Sequence, residues 1–270
     1  AKFEPTNPHP PVISIFIWLK SIYYHLKILI KTNIMKVSII IPIRNEENVL
    51  KNIIQQLENK LETLTFEVIF INDFSTDDTF STLEKLLQNK NQFRLYNNQK
   101  KGLGGAIAEG IYQANGEFIC IMMSDLSDDI DDFKKYYNII KEEQIDAVFG
   151  SRFIKGSKII EYPKKKLILN RIFNIATKLL FLSDYNDFTN AFKIYRKNSL
   201  LKTFPLVSES FNIFLELPLK IISRKMKYKI IPISWTNRKE GNSKFDIKEL
   251  KSKYLFTLIY CWLEKILLKK

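Results

Sequence analysis

The sequence predicts an α/β fold, a mostly parallel sheet flanked by helices, and three observations carry that prediction. Nearly unbroken apolar runs recur at 37–42 (VSIIIP), 66–71 (FEVIFI) and 118–123 (FICIMM), the pattern of strands buried on both faces. Helical stretches of about 10 to 15 residues lie between the strands, as in βαβ units. Each of these runs ends in acids or amides, at the edge where open α/β sheets bind ligands.

In chain order, 37–42 is the first strand and RNEENV opens a helix over 47–60. The second strand, 66–71, ends in Asn72-Asp73-Phe74-Ser75 and is followed by a helix over 77–89. A third strand at 93–96 leads into the glycine turn Lys101-Gly102-Leu103-Gly104-Gly105 and a helix over 106–115, which Asn115-Gly116 stops. The strand at 118–123 runs into Asp125, Asp128 and Asp129, before a helix over 130–141 and a strand over 146–150. Beyond Gly150 come a basic loop (151–166), a helix (167–182), a strand (188–195), a helix carrying Glu216 (211–224) and a strand (228–233). The polar loop WTNRKEGNSK (235–244) and a long helix (248–269) close the chain. No repeat or low-complexity linker divides it, so 35–246 reads as one domain and 247–270 as a C-terminal amphipathic helix.

Residues 1–34 read as an N-terminal extension. It begins with proline-rich AKFEPTNPHPP, and its apolar stretch is interrupted by Lys20, His25 and Lys27, short of the ~18 to 20 clean residues of a spanning helix. It is expected to be an interfacial helix or upstream sequence read in frame, since Met35 stands directly before the first strand.

A chain of 270 residues with 46% hydrophobic and 26% charged composition is globular. Its formal charge of +13 implies an anionic partner: nucleic acid, membrane or a phosphorylated ligand. The two cysteines, Cys120 and Cys261, lie inside apolar runs, which argues against a disulfide framework or thiolate metal site and fits a reducing compartment. Both histidines, His9 and His25, lie in the extension, so chemistry in the domain falls to carboxylates, Lys, Arg, Tyr or a metal.

Asp125, Asp128 and Asp129 suit a hard cation and, through it, a phosphate; they equally suit the cap of the following helix. The acids and amides after the first two strands, Asn45-Glu46-Glu47 and Asn72 to Asp78, are each explained by capping. Three consecutive carboxyl-end loops so alike are not required by capping.

These segments resemble a known family. VSIIIPIRNEENV, FEVIFINDFSTDDT, KGLGGAIAEG and GEFICIMMSDLSDD are similar, in order and spacing, to the family-2 inverting glycosyltransferases, nearest the dolichyl- or polyprenyl-phosphate mannosyl- and glucosyltransferase branch. The likeness continues through DAVFGSRFIKG, NDFTNAFKIYR, Glu216 and WTNRKEGNSK, and so covers most of the chain. It implies a GT-A, Rossmann-like fold binding a UDP- or GDP-linked sugar. By resemblance, Pro42, Asn45 and Glu46 lie near the nucleotide, Asp73 accepts from the base N–H, and Gly102 and Gly104 let the backbone come close. Arg152, Arg171, Arg238, Ser243 and Lys244 correspond to phosphate positions of donor or acceptor.

The implied reaction is displacement at the anomeric carbon with inversion. Its departing diphosphate needs a divalent cation, Mg²⁺ or Mn²⁺, held by Asp125 and Asp128, together with Arg152. A sugar-hydroxyl acceptor needs a base, for which Asp187, Glu209 and Glu216 are the available carboxylates; a lipid phosphate needs none. The family's Asp-x-Asp metal motif, with Gln two positions on, is here Met123, Asp125 and Ser127, and Met123 shares a strand face with Asp125 if the strand persists that far.

The apolar, aromatic run 254–268 ending in Lys269-Lys270 is too short to span a bilayer, yet lies well in an anionic interface. The expected location is therefore cytoplasmic, peripheral on the inner face of a membrane, with polyprenyl phosphate as acceptor. Alternatives are transfer to a saccharide hydroxyl and a catalytically impaired, membrane-associated relative. A nucleotidyltransferase would carry a glycine-rich basic loop where Arg44-Asn45-Glu46-Glu47 stands. Nucleic acid is not an expected partner, since no basic, aromatic-interleaved sheet face is present.

Overall fold

The structure, a computed structural model, describes residues 37–237 and 247–268, the latter with side chains from 252 onward. Seven strands form the main sheet: β1 (Val37–Ile43), β2 (Phe66–Asn72), β3 (Phe93–Asn97), β4 (Phe118–Ile121), β5 (Ala147–Ser151), β7 (Lys193–Arg196) and β8 (Tyr228–Pro232), in the order β3-β2-β1-β4-β7-β5-β8. All pairings are parallel except those of β7, which runs antiparallel between β4 and β5. A small parallel ribbon pairs β6 (Lys158–Ile160) with β9 (Ser234–Thr236).

β1 and β2 are buried along their whole length, as their near-continuous apolar runs require. Pro42 pairs with Ile71 of β2, beyond Ile40 where the β4 ladder ends, so its missing N–H disturbs no pairing on that side. The helices α1 (Leu50–Leu61), α2 (Thr79–Leu86) and α4 (Ile130–Glu142) cover one sheet face; α3 (Leu103–Gln113), α5 (Lys164–Phe181), α6 (Lys197–Leu201), α7 (Ile213–Ser223) and α8 (Ile247–Leu267) lie on the other. On α1, Leu50, Ile53, Ile54, Leu57 and Leu61 are buried, one helical stripe.

Four expectations change. β4 ends at Ile121 rather than 123, because its partner ladder on β1 ends at Ile40. The strand expected at 188–195 is the shorter, antiparallel β7. The basic loop 151–166 contains β6 and the first turn of α5, and the polar loop begins inside β9. Three residues per strand are too few to leave a periodic signal.

Candidate active site

At the carboxyl edge of the sheet, the loops after β1, β2 and β3 are laced together. Asn45, at φ 51°, donates its backbone N–H to Ser75 Oγ (3.1 Å), and its carboxamide oxygen accepts from Thr76 N (2.8 Å). Glu46 N donates to Thr79 Oγ1 (2.8 Å). Asp73 is buried, and its Oδ1 accepts from Gly102 N (2.7 Å) and Asn98 Nδ2 (2.8 Å). One carboxylate thus fixes the glycine loop to the second strand's end.

Close protein backbone by itself requires glycine at these two positions. A Cβ at Gly102, where φ is 115°, would lie 2.4 Å from Glu209 O, and one at Gly104 would lie 1.9 Å from Ser208 O. Gly104 N donates to Glu209 O (3.1 Å). The strap over residues 205–209 therefore sits on the glycine loop.

After β4 the chain turns through Leu126 at φ 52°. Asp125, partly exposed, accepts at Oδ1 from Ser127 Oγ (2.7 Å) and Ser127 N (3.1 Å). Met123 is partly buried against the apolar cluster and, β4 having ended, does not share a strand face with Asp125. The three acids divide their work. Asp129 is the N-cap of α4, accepting from Asp131 N (2.9 Å). Asp128 is 7% exposed, forms an isolated bridge with Trp235, and its Oδ1 has no hydrogen-bond partner among the described residues. Burial, then the charge of Asp125, pushes the Asp128 carboxyl up to about 7.

Because β7 is antiparallel, the segment leading into it also arrives at this edge and brings Asp187 to Arg152. Asp187 is fully buried and accepts from Arg152 N (2.9 Å), Nε (2.9 Å) and Nη2 (2.7 Å). Burial alone would lower the guanidinium's pKa; the Asp187 charge more than offsets it, and the group stays ionised. The Arg152 guanidinium lies 5.4, 5.7 and 5.8 Å from the ring centroids of Phe153, Tyr162 and Trp235, within cation–π range. Asp187, expected as a base, stands here as a buried counter-ion with both oxygens engaged by Arg152. The Arg152 fork is in turn committed to Asp187.

Arg171 stacks on the same Phe153 ring, 4.4 Å from its centroid, and its Nη1 is buried with no hydrogen-bond partner among the described residues. Lys166 is also near, its pKa lowered by burial and then by the Arg152 charge. Glu216, the other catalytic carboxylate expected from the sequence, is engaged as well. It is fully buried, accepts from Val207 N (2.9 Å) and Ser208 N (2.8 Å), and pairs with Lys220 Nζ (2.9 Å). It clamps the strap and is absent from the Asp125–Arg152 group. Arg238, Ser243 and Lys244 lie outside the described residues.

Sequence reasoning missed Asn98, Phe153, Tyr162, Lys166 and the strap. Lys166 closes a run of three lysines, Lys164 to Lys166, which was the available signal; the rest depend on contacts distant in sequence. It also missed Lys193, whose ammonium is fully buried and donates to Phe188 O (3.2 Å) and Asn190 O. Burial lowers its pKa to about 7. Between pH ~7 and ~10.5 the unfolded chain holds a proton that the folded one has shed, so stability rises with pH across that window. Urea unfolding at pH 7 and 9 is expected to show this rise, and Lys193→Met to remove that component, by on the order of a few kcal/mol. An unchanged difference between the two pH values in Lys193→Met would contradict it.

Comparison with known proteins agrees with this geometry. The description "Glycosyl transferase family 2" matches residues 38–204. A dolichol-phosphate mannosyltransferase from Pyrococcus furiosus is 27% identical over 224 residues, 82% of this chain and 61% of that protein. Glycosyltransferase AglD from Haloferax volcanii is 23% identical over 79% of this chain and 35% of its own length. This chain therefore spans less than two thirds of either relative. Among solved structures, glucosyl-3-phosphoglycerate synthase from Mycobacterium tuberculosis in complex with Mn²⁺, UDP-glucose and phosphoglyceric acid superposes with a TM-score of 0.64 at 14% identity, over 86% of this chain and 81% of that one. At that identity the likeness is one of fold, and the fold is GT-A. Since the family match runs through every loop from Asn45 to Asp187 and over more than half of the sequence, the chain belongs to glycosyl transferase family 2.

Proposed function

We propose that the chain moves a hexose from a UDP- or GDP-linked sugar, with inversion, to a polyprenyl phosphate at an anionic membrane surface. The observation that carries this reading is the state of the carboxylates. Inversion onto a sugar hydroxyl needs a general base, and Asp187 and Glu216 are buried and fully engaged. Glu209 is paired with Lys100 (2.9 Å), whose hydrogen bond and charge lower its pKa and weaken it as a base. A lipid phosphate is already ionised near neutral pH and needs no base. Arg171, with its unpartnered Nη1, and the neighbouring Arg152 and Lys166 supply charge to receive it. The name of the Pyrococcus furiosus relative supports the same acceptor class.

Asp125 and Asp128 fit a hard divalent cation, the orphaned Asp128 Oδ1 being a ligand without a partner. Among the described residues no group of three His, Cys, Asp or Glu could hold a metal, so the other ligands would be diphosphate oxygens and water, as Mg²⁺ usually takes. A bound cation would neutralise charge on the departing diphosphate. Structural neighbours solved with Mn²⁺ or Mg²⁺ support this assignment. Asn45, Glu46, Asp73 and the glycine loop are the donor side of the same edge.

Two helices support the membrane reading. Ile168, Ile172 and Leu179 on α5, and Phe256, Ile259 and Leu263 on α8, are exposed large apolar side chains, with Lys164 and Lys165 exposed at the start of α5. Apolar faces edged by lysine suit an anionic interface. No helix among the described residues is long and apolar enough to cross a membrane.

A panel of UDP- and GDP-sugars, with and without polyprenyl phosphate, tests the reading. Product is expected only with the lipid phosphate, from one nucleotide base, with inverted anomeric configuration by NMR, and is expected to fall when a chelator is added. Transfer to a saccharide hydroxyl without lipid would overturn it.

A further inference from the structure

The outer face of α8 is apolar and exposed, while its inner face is wired by polar contacts to the strap that seats the glycine loop. Thr257 is fully buried there, and its Oγ1 accepts from Asn212 Nδ2 (2.9 Å) and lies 3.4 Å from Ser208 Oγ. Asn212 in turn accepts from Ser210 N (3.1 Å). Ser208 is the residue whose carbonyl fills the space where a Cβ of Gly104 would stand. One side chain therefore separates α8 from the strap, and the strap touches the glycine loop directly.

A second route reaches the same strap. Glu264 of α8 pairs with Arg224 and approaches Lys220 (3.9 Å). Lys220, fully buried, pairs with Glu216 (2.9 Å) and donates to Thr203 O (3.0 Å) and Pro205 O. Glu216 holds Val207 N and Ser208 N. Both routes end on Ser208. Nearby, the strap and α8 border a cleft of about 260 Å³ lined by Val207, Glu209, Asn212 and Phe256 among others, so the polar links run beside apolar packing of Tyr254, Leu258 and Cys261 on the cluster that holds Leu206.

We propose that α8 and the strap form a relay that sets the glycine loop for the donor, with Thr257 as its positioning residue, so that seating α8 on an anionic lipid surface tightens nucleotide binding. This rests on the reading of the Gly102–Gly104 loop as donor-binding. Coupling of this kind is reciprocal: if lipid raises nucleotide affinity by some factor, nucleotide raises lipid affinity by the same factor. If Thr257 were merely structural, its replacement would lower stability and leave that factor in place.

The test uses the full chain and four measurements: UDP and GDP binding by titration calorimetry, with and without vesicles of phosphatidylcholine and phosphatidylglycerol, and vesicle co-sedimentation with and without the nucleotide. Wild type is expected to show about fivefold tightening in both directions. Thr257→Val is expected to keep both binding events and lose the coupling, and Thr257→Ser to restore it. Ser208→Ala, which cuts the same link from the strap and leaves α8 intact, should also uncouple. Wild type that binds nucleotide and vesicles independently, or uncoupling variants that behave as wild type, would overturn the relay alone. Wild type that binds neither UDP nor GDP would overturn the donor reading and the relay with it.

Discussion

Replacing Asp187 by alanine is expected to cost about 3–5 kcal/mol of stability. The reason is what the substitution strands. Arg152 is 7% exposed, and Asp187 accepts from its backbone N–H, Nε and Nη2. A guanidinium cannot escape by losing its proton, so it would remain charged and uncompensated beside Lys193. Urea unfolding at pH 7 measures the loss, and a cost below ~1 kcal/mol would contradict the counter-ion role. The paired change Arg152→Met with Asp187→Leu is expected to recover most of it, because an apolar pair of similar volume often substitutes for a buried ion pair at little cost. Activity is not expected to return with stability in that variant, since the charge beside the phosphate site would be gone.

Asp125→Ala is expected to act the other way, sparing the fold and lowering kcat on the order of 10³-fold, as loss of a group that stabilises developing charge does. Asp125 is partly exposed, and among the described residues its carboxylate accepts hydrogen bonds from Ser127, two residues away, and from no other residue, so melting temperature should scarcely move. Asp125→Asn separates the two jobs that remain confounded in the alanine variant. It can still accept from Ser127 but carries no charge. If Asp125→Asn turned over at the wild-type rate, the residue would be holding a turn rather than meeting a cation and diphosphate.

The central strands were legible in the sequence because a strand buried on both faces must be apolar almost throughout, and β1 and β2 are. The direction of β7 was not. KIYR reads the same whichever way it runs, and only its place between β4 and β5 makes it antiparallel. The same limit governs the site. Asn45, Glu46, Asp73 and Asp125 could be singled out because each follows its strand directly. The roles of Asp187 and Glu216 could not, since a carboxylate's availability depends on what surrounds it: Arg152 stands 35 residues from Asp187, and Val207 and Ser208 fold back onto Glu216 from outside its helix. The need for space at Gly102 and Gly104 was legible, but their contacts with Glu209 and Ser208 were not, because a sequence shows that space is needed and not what fills it.

The position of β7 also constrains the order in which the sheet can be completed during synthesis. β5 has no neighbour in the finished sheet except β7 and β8, both of which leave the ribosome after it. Until β7 emerges, the nascent chain can close β3-β2-β1-β4, with β4 as an open edge, while the apolar β5 waits unpaired. An open edge and an unpaired apolar strand are features that favour aggregation in partly made chains. β7 satisfies both at once by inserting between them, and in the same step it carries Asp187 to Arg152. The step that joins β5 to the rest of the sheet and the burial of the arginine's charge are thus one event.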